Sequence, residues 1–147
     1  MKELGSLEVY RLEECLKALA EHHNHTSANF KGHFPKKPYE ETLTSFEKDV
    51  DSGKSRIAVI DSEDRILGFC KADITGREGT IDYLIVLSES RGKGYGEALL
   101  DWALNIFRNR KVTRIEVKVV DGNDAIRFYE KHGFQIVSHI LRMEQSD

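Results

Sequence analysis

Ile81-Asp82-Tyr83-Leu84-Ile85-Val86-Leu87, followed by Arg91-Gly92-Lys93-Gly94-Tyr95-Gly96, is the stretch on which the fold turns: an apolar strand, a glycine turn and a helix start. The strand, expected over Thr80 to Leu87, is apolar on both faces, with Ile81, Tyr83, Ile85 and Leu87 on one and Asp82, Leu84 and Val86 on the other. Such a strand belongs in the middle of a sheet covered on both sides, so Asp82 must lie near an edge, be paired, or be functional. The three alternating glycines let backbone approach a ligand without Cβ interference. The first turn of the helix expected near Glu97 adds unpaired N–H groups suited to an anion. The turn reads as a phosphate cradle, with an ordinary tight turn as the plainer alternative. A dinucleotide fingerprint fails because Glu97 stands where its third glycine belongs, and a Walker loop fails because no Gly-Lys-Ser/Thr follows.

Working outward, the helix after the turn buries a stripe of Leu99, Leu100, Ala103, Ile106 and Phe107 and leaves Glu97, Asp101, Asn105 and Arg108 polar. Arg114 to Val120 alternates as a strand, and Asp121-Gly122-Asn123 closes it with turn chemistry. Asp124 to His132 has helical spacing and ends at Gly133, suited to the left-handed position after a helix; Gln135 to Met143 is expected as a last strand. On the N-terminal side, Ser6 to Arg11 is expected as a short strand and Leu12 to His23 as an amphipathic helix. A second helix is expected over Tyr39 to Val50, and a hairpin from Arg56 to Ile60 and Ile66 to Ala72 around a polar loop. The resulting order, β-α-α-β-β-β-α-β-α-β, is a mixed α/β pattern without repeats or linkers.

A chain of 147 residues can bury a sizeable core as one domain. Its net charge of −3 argues against a general nucleic-acid binder. Cys15 and Cys70 have no zinc-like or disulfide-framework spacing and read as small buried hydrophobes in a reducing compartment, which suggests a cytoplasmic protein. Met1 to Glu14 lacks the apolar core of a signal peptide and no run reaches spanning length, so no membrane partner is expected. Between the first two helices, His22, His23, His25, Phe30, His33 and Phe34 sit in a segment with three readings: a solvated helix end, a metal site, or the mouth of a substrate site. No Cys, Asp or Glu stands at a recognisable ligand spacing there, so no metal is expected.

These residues resemble the GNAT superfamily of N-acetyltransferases. Its acetyl-coenzyme A signature, Arg/Gln-x-x-Gly-x-Gly/Ala after a strand, stands here as Arg91 to Gly96. A second signature, an asparagine and then Ala-x-x-hydrophobe-Tyr-x-x-x-Gly-Phe, is matched by Asn123, Ala125, Phe128, Tyr129, Gly133 and Phe134. Ser88 replaces the family's usual proline, and Asn123 lies one residue closer to Ala125 than in the commonest form. The resemblance implies a single acetyltransferase domain over residues 1–147. It also implies a mixed, mostly antiparallel sheet of about six strands with helices on both faces, its central strands splayed to admit coenzyme A.

The implied cofactor is acetyl-coenzyme A as co-substrate. Its pyrophosphate would lie on the backbone of Gly92, Lys93, Gly94, Tyr95, Gly96 and Glu97, with Arg91 or Lys93 adding positive potential. Its pantetheine arm would pair with Leu84, Ile85 and Val86, and Asn123 would contribute a further contact. The implied reaction is direct acetyl transfer to a primary amine of a small molecule or protein, in a ternary complex, without a covalent acyl-enzyme. Tyr129 is implied as the general acid, against a plain packing role, and Asp82 as base or acceptor-amine contact, against ordered water and the weaker candidate Glu116. Within the histidine-rich segment, His22, His25, Phe30, His33 and Phe34 are the candidate acceptor-binding residues. The family also admits a homodimer through the last strands. A non-catalytic acyl-coenzyme A binding or sensing module is the alternative from another functional class.

Overall fold

Apolar alternation in the middle of the chain builds an open five-strand sheet in the computed structural model, which describes residues 1–27, 32, 35, 37–118 and 125–145. The elements are β1 (Lys2–Glu3), α1 (Glu13–Thr26), α2 (Tyr39–Asp51), β2 (Ser55–Ser62), β3 (Arg65–Thr75), β4 (Glu78–Val86), α3 (Tyr95–Asn109), β5 (Arg114–Val117) and α4 (Ala125–Lys131). Strand order follows chain order, β1-β2-β3-β4-β5, and every neighbouring pair is antiparallel except β4 and β5. Tight turns join β2 to β3 and β3 to β4, which makes those neighbours antiparallel, whereas α3 intervenes between the parallel β4 and β5 as a crossover connection.

Each sheet face is covered. On one side Leu12 just before α1, Cys15 and Leu16 from the start of α1 and Phe46 from α2 pack on Ile57, Val59, Phe69 and Ile85. On the other, the whole expected stripe of α3 (Leu99, Leu100, Ala103, Ile106 and Phe107) is buried, and Leu99, Leu100, Ala103 and Phe107 pack with α4's Tyr129 against Ala58, Cys70, Ala72 and Ile81. The expected mixed, mostly antiparallel sheet with helices on both faces is thus formed. No helix among the described residues is long and apolar enough to cross a membrane.

Three local expectations differ. Ser6–Leu12 is a 3₁₀ helix rather than a strand, because Val9 and Leu12 are buried while Leu7 and Tyr10 are exposed, a period of three rather than two. Residues 135–145 form no strand; Ile136, Val137, Ile140 and Leu141 are exposed, and apolar content alone does not make a strand without a neighbour to take its hydrogen bonds. The third difference is in β4. Lys71 of β3 pairs with Tyr83 and Ala72 with Ile81, so Asp82 is an extra residue on β4, a β-bulge. The bulge breaks the simple alternation: Ile81 joins the α3 core, while Tyr83 packs with Phe46 and Phe69 on the α2 side.

At Gly79, opposite Ile115 of β5, the backbone of β4 lies directly under Phe107. A Cβ there would come within 2.7 Å of the phenyl ring, which is fully buried and has no free direction to move. Gly79→Ala is therefore expected to destabilise the fold by about 1–3 kcal/mol through overpacking, despite the usual benefit of replacing strand glycine. Urea unfolding measures this, and an unchanged midpoint would contradict the packing described.

Candidate active site

The site forms where β4 delivers the chain to the glycine turn. After β4 ends at Val86, a 3₁₀ turn spans Ser88–Ser90 and α3 begins at Tyr95. Gly92 and Gly94 have φ of 81° and 82°, the left-handed region in which a Cβ is strained. Gly94 caps α3 without a side-chain hydrogen bond, so the first N–H groups of the helix have no side-chain cap, and the residues from Arg91 to Gly94 are exposed. The expected start near Glu97 is moved back to Tyr95, which puts Gly96 inside the first helical turn. Arg91 donates from Nε to the Val86 carbonyl at 3.1 Å, so part of its guanidinium ties the turn to the end of β4.

Next to this turn the sheet opens. Among the described residues, pairing between β4 and β5 runs from Glu78 with Arg114 to Ile81 with Val117. On the opposite edge β4 remains paired with β3 as far as Val86 with Gly68. Among the described residues, Leu84, Ile85 and Val86 thus have β3 as a strand partner on one side and none on the other. Backbone polar groups along an open strand edge are ready partners for an extended chain of amides.

Asp82 stands where pairing with β5 ends, and the bulge turns its carboxylate toward the α2 side. Its Oδ2 lies 3.4 Å from Nζ of Lys71, a lysine only 2% exposed. Lys71 also contacts Asp73 at 2.9 Å and Asp49 at 3.2 Å and lies 5.2 Å from the centroid of the Phe46 ring. Ser55 donates its hydroxyl to Asp73. Burial works against charge on Lys71, but hydrogen bonding and attraction from Asp73, with Asp82 and Asp49, leave its pKa above the ordinary value. For Asp82 the order of effects is desolvation, then hydrogen bonding and repulsion from Asp73, with Lys71 opposing; the result is a pKa raised to about 6. Asp73 is held in the opposite direction: burial would raise its pKa, but hydrogen bonds from Asp82, Ser55 and Lys71 lower it. Of the two carboxylates, Asp82 is the one that takes up a proton first as pH falls, and its side chain is 38% exposed and thus open to a reactant.

Tyr129 lies on the other side of the sheet, 6% exposed, with Phe128 and Phe134 rings edge-on to it at 5.3 and 5.5 Å between centroids. Burial, with a smaller contribution from Cys70, raises the phenol pKa. The end of α4 explains its position: Gly133 has φ of 94°, and the N–H of Phe134 bonds back to the Tyr129 carbonyl at 3.2 Å, forming the expected glycine-terminated cap. His22 and His25 belong to the last turns of α1, which extends to Thr26, beyond the expected end at His23. Phe30, His33, Phe34 and Asn123 lie outside the described residues. Glu116 is exposed and pairs in register with Thr80, two positions before Asp82. Among the described residues no cluster of His, Cys, Asp and Glu suits a metal ion.

Sequence reasoning missed Lys71, Asp73 and Asp49. The available signal was a Lys-x-Asp pair inside an otherwise apolar strand, Ile66 to Ile74, where unpaired charges would be costly.

An open strand edge beside a glycine-turned, uncapped helix start defines the class of fold. A family model described as the acetyltransferase (GNAT) family matches residues 17–134, and the chain belongs to that family. Among solved structures, the chain is similar to the PaiA N-acetyltransferase from Thermoplasma acidophilum in complex with coenzyme A, at 16% identity and a TM-score of 0.78, covering 95% of this chain and 94% of that one. It is also similar to a tetramutant of the BH1408 protein from Bacillus halodurans, at 20% identity and a TM-score of 0.77, covering 98% of each chain. A third likeness is to the aminoglycoside N-acetyltransferase AAC(6')-Iy in complex with coenzyme A, at 12% identity and a TM-score of 0.72, covering 98% and 92%. No curated protein matches the chain.

The turn geometry separates two glycines that look alike in sequence. Gly94→Ala is expected to lower stability by about 1–2 kcal/mol because its φ is left-handed. Gly96→Ala is expected to be neutral or stabilising, since its Cβ would meet only the Phe128 ring at 3.8 Å and alanine favours a helix. Paired urea titrations check the contrast; equal losses at both positions would contradict it.

Proposed function

We propose that this chain is an acyl-coenzyme A-dependent N-acetyltransferase that moves an acetyl group to a primary amine by direct attack in a ternary complex. The observation that carries this reading is the β4 edge over Leu84, Ile85 and Val86, which has no partner opposite β3 among the described residues and adjoins the uncapped start of α3. The edge suits the amides of the pantetheine arm. The N–H groups from Gly92 to Glu97 suit its pyrophosphate, and Lys93 adds positive potential. Acetyl-coenzyme A supplies the activated thioester. Residues 1–147 act as one acetyltransferase unit in this reading, and the two buried free cysteines support a reducing, cytoplasmic setting.

The chemical obstacle is that an alkyl ammonium, with a pKa of about 10, has no lone pair free to attack. Asp82 takes one proton from the ammonium and passes it to solvent through its exposed side. The nitrogen then forms its bond to the thioester carbonyl carbon, while backbone N–H groups near Val86 stabilise the developing oxyanion. Tyr129 gives its phenolic proton to sulfur as the C–S bond breaks, and recovers a proton from the nitrogen, which has one to lose on becoming an amide. One proton is released overall. Asp82 and Tyr129 approach from opposite faces of the sheet, so they serve a common reactant only at the open β4 edge.

Each carboxyl and phenol state has the required sign. Asp82, with its pKa raised to about 6, is a stronger base than an ordinary aspartate and is still mostly ionised at pH 7. Tyr129, its pKa pushed upward by burial, retains its proton for donation. For the acceptor, His22 and His25 at the end of α1 remain candidates together with Phe30, His33 and Phe34.

Release of free thiol from acetyl-coenzyme A across a panel of small amines and peptide amines tests the reading; binding without turnover would favour the sensing module. With an active amine, Tyr129→Phe is expected to lower kcat about tenfold or more with little change in acetyl-coenzyme A affinity. For wild type, kcat/KM is expected to fall as pH drops below about 6, because protonated Asp82 cannot accept a proton. Asp82→Asn is expected to reduce the rate and remove that low-pH limb. An identical pH–rate curve in the variant would eliminate Asp82 as the base.

A further inference from the structure

Lys71 has no evident place in the mechanism above, yet it is an ammonium only 2% exposed in the face of the sheet, which requires a reason. Three carboxylates converge on it: Asp49 from α2 at 3.2 Å, Asp73 from its own strand at 2.9 Å, and Asp82 from β4 at 3.4 Å. Their exposures form a gradient. The Asp73 side chain is 8% exposed, Asp49 24% and Asp82 38%, so the ion cluster is closed at the sheet and open only toward the outer carboxylates. Asp73 is further fixed by the Ser55 hydroxyl from β2. The bulge makes the arrangement possible, because without an extra residue on β4 the alternation would direct Asp82 and Tyr83 to opposite faces.

We propose that Lys71 and Asp73 are positioning residues for acetyl transfer: their buried ion pair holds the Asp82 carboxylate at the end of the open β4 edge, oriented and poised to receive the proton of the acceptor amine. The proposal rests on the reading of Asp82 as base. Lys71 acts as a fixed counter-charge that prevents the two aspartates from simply repelling each other apart. Asp73 acts as the ionised neighbour whose repulsion makes Asp82 the better proton acceptor. Among the described residues, the groups facing Asp82 are those named, together with the Tyr83 phenol beside it; α3 presents its apolar stripe to the sheet, and β5 brings Glu116 as far as Thr80.

Because the two residues act on Asp82 with opposite sign, the cluster makes a signed prediction that general loss of structure does not imitate. In protein labelled with ¹³C at aspartate carboxyl carbons, with the Asp82 resonance assigned by its loss in Asp82→Asn, the midpoint of Asp82 is followed by titration. Asp73→Asn is expected to move it down by about one pH unit and Lys71→Met to move it up by about one unit. The low-pH limb of kcat/KM on an active panel amine is expected to move with it in each variant. Should Lys71→Met fail to fold, Asp73→Asn, which keeps the shape of the side chain, carries the test. Midpoints that stay within about 0.3 unit of wild type overturn the proposal, even if Asp82→Asn removes the low-pH limb and the base reading stands. Moved midpoints with an unchanged pH–rate curve for Asp82→Asn overturn the base reading, and with it the catalytic use of the cluster.

Discussion

One extra residue in β4 governs the geometry of the site. Up to Ile81 the strand is an ordinary inner strand, hydrogen-bonded to β3 on one edge and β5 on the other. At Asp82 the register slips, and beyond that point only β3 remains as a partner among the described strands. A bulge increases local twist and bends the strand that carries it, so two neighbours cannot both follow it. The antiparallel partner, joined to β4 by the tight turn at Gly76 and Arg77, stays in contact; the parallel partner β5, which arrives only after α3, does not. An opening in the middle of a sheet exposes backbone donors and acceptors that would be costly if buried unpaired. A ligand that is itself a chain of amides relieves that cost.

The same bulge accounts for the charges. Buried lysine clusters are poor stability devices, since the desolvation of each ion offsets most of its Coulombic gain and an apolar residue of similar volume commonly does as well. Lys71 occupies a position where the neighbouring Phe46, Phe69 and Tyr83 rings would accommodate an apolar side chain. What the ion cluster does instead is separate the two aspartates in proton affinity, with Asp73 held below the ordinary carboxylate value and Asp82 raised to about 6. Tyr129 shows the complementary use of burial: surrounded by Phe128 and Phe134, its phenol is kept in the neutral form.

Much of the architecture was legible because it depends on spacing within one segment. The stripe of α3, the cap at Gly133, the glycine turn from Arg91 to Gly96 and the faces of α1 and α2 are all short-range patterns, and each element is formed. The failures share a different origin. Ser6–Leu12 carries apolar residues compatible with either a period of two or three, and burial against the sheet selected three. Residues 135–145 have strand-like composition, but a strand exists only with a partner, and none of the described strands pairs with them.

The sequence by itself determined the class of the chain, because the glycine turn and the segment around Tyr129 are contiguous motifs whose chemistry follows from residue type and local backbone freedom. Tertiary structure alone decided the surroundings of Asp82. Its side and its proton affinity depend on a register slip between β3 and β4, and on Asp49 of α2, Ser55 of β2, and Lys71 and Asp73 of β3 coming together. Electrostatic interactions act through space and are amplified by exclusion of water, so no periodicity along the chain records them.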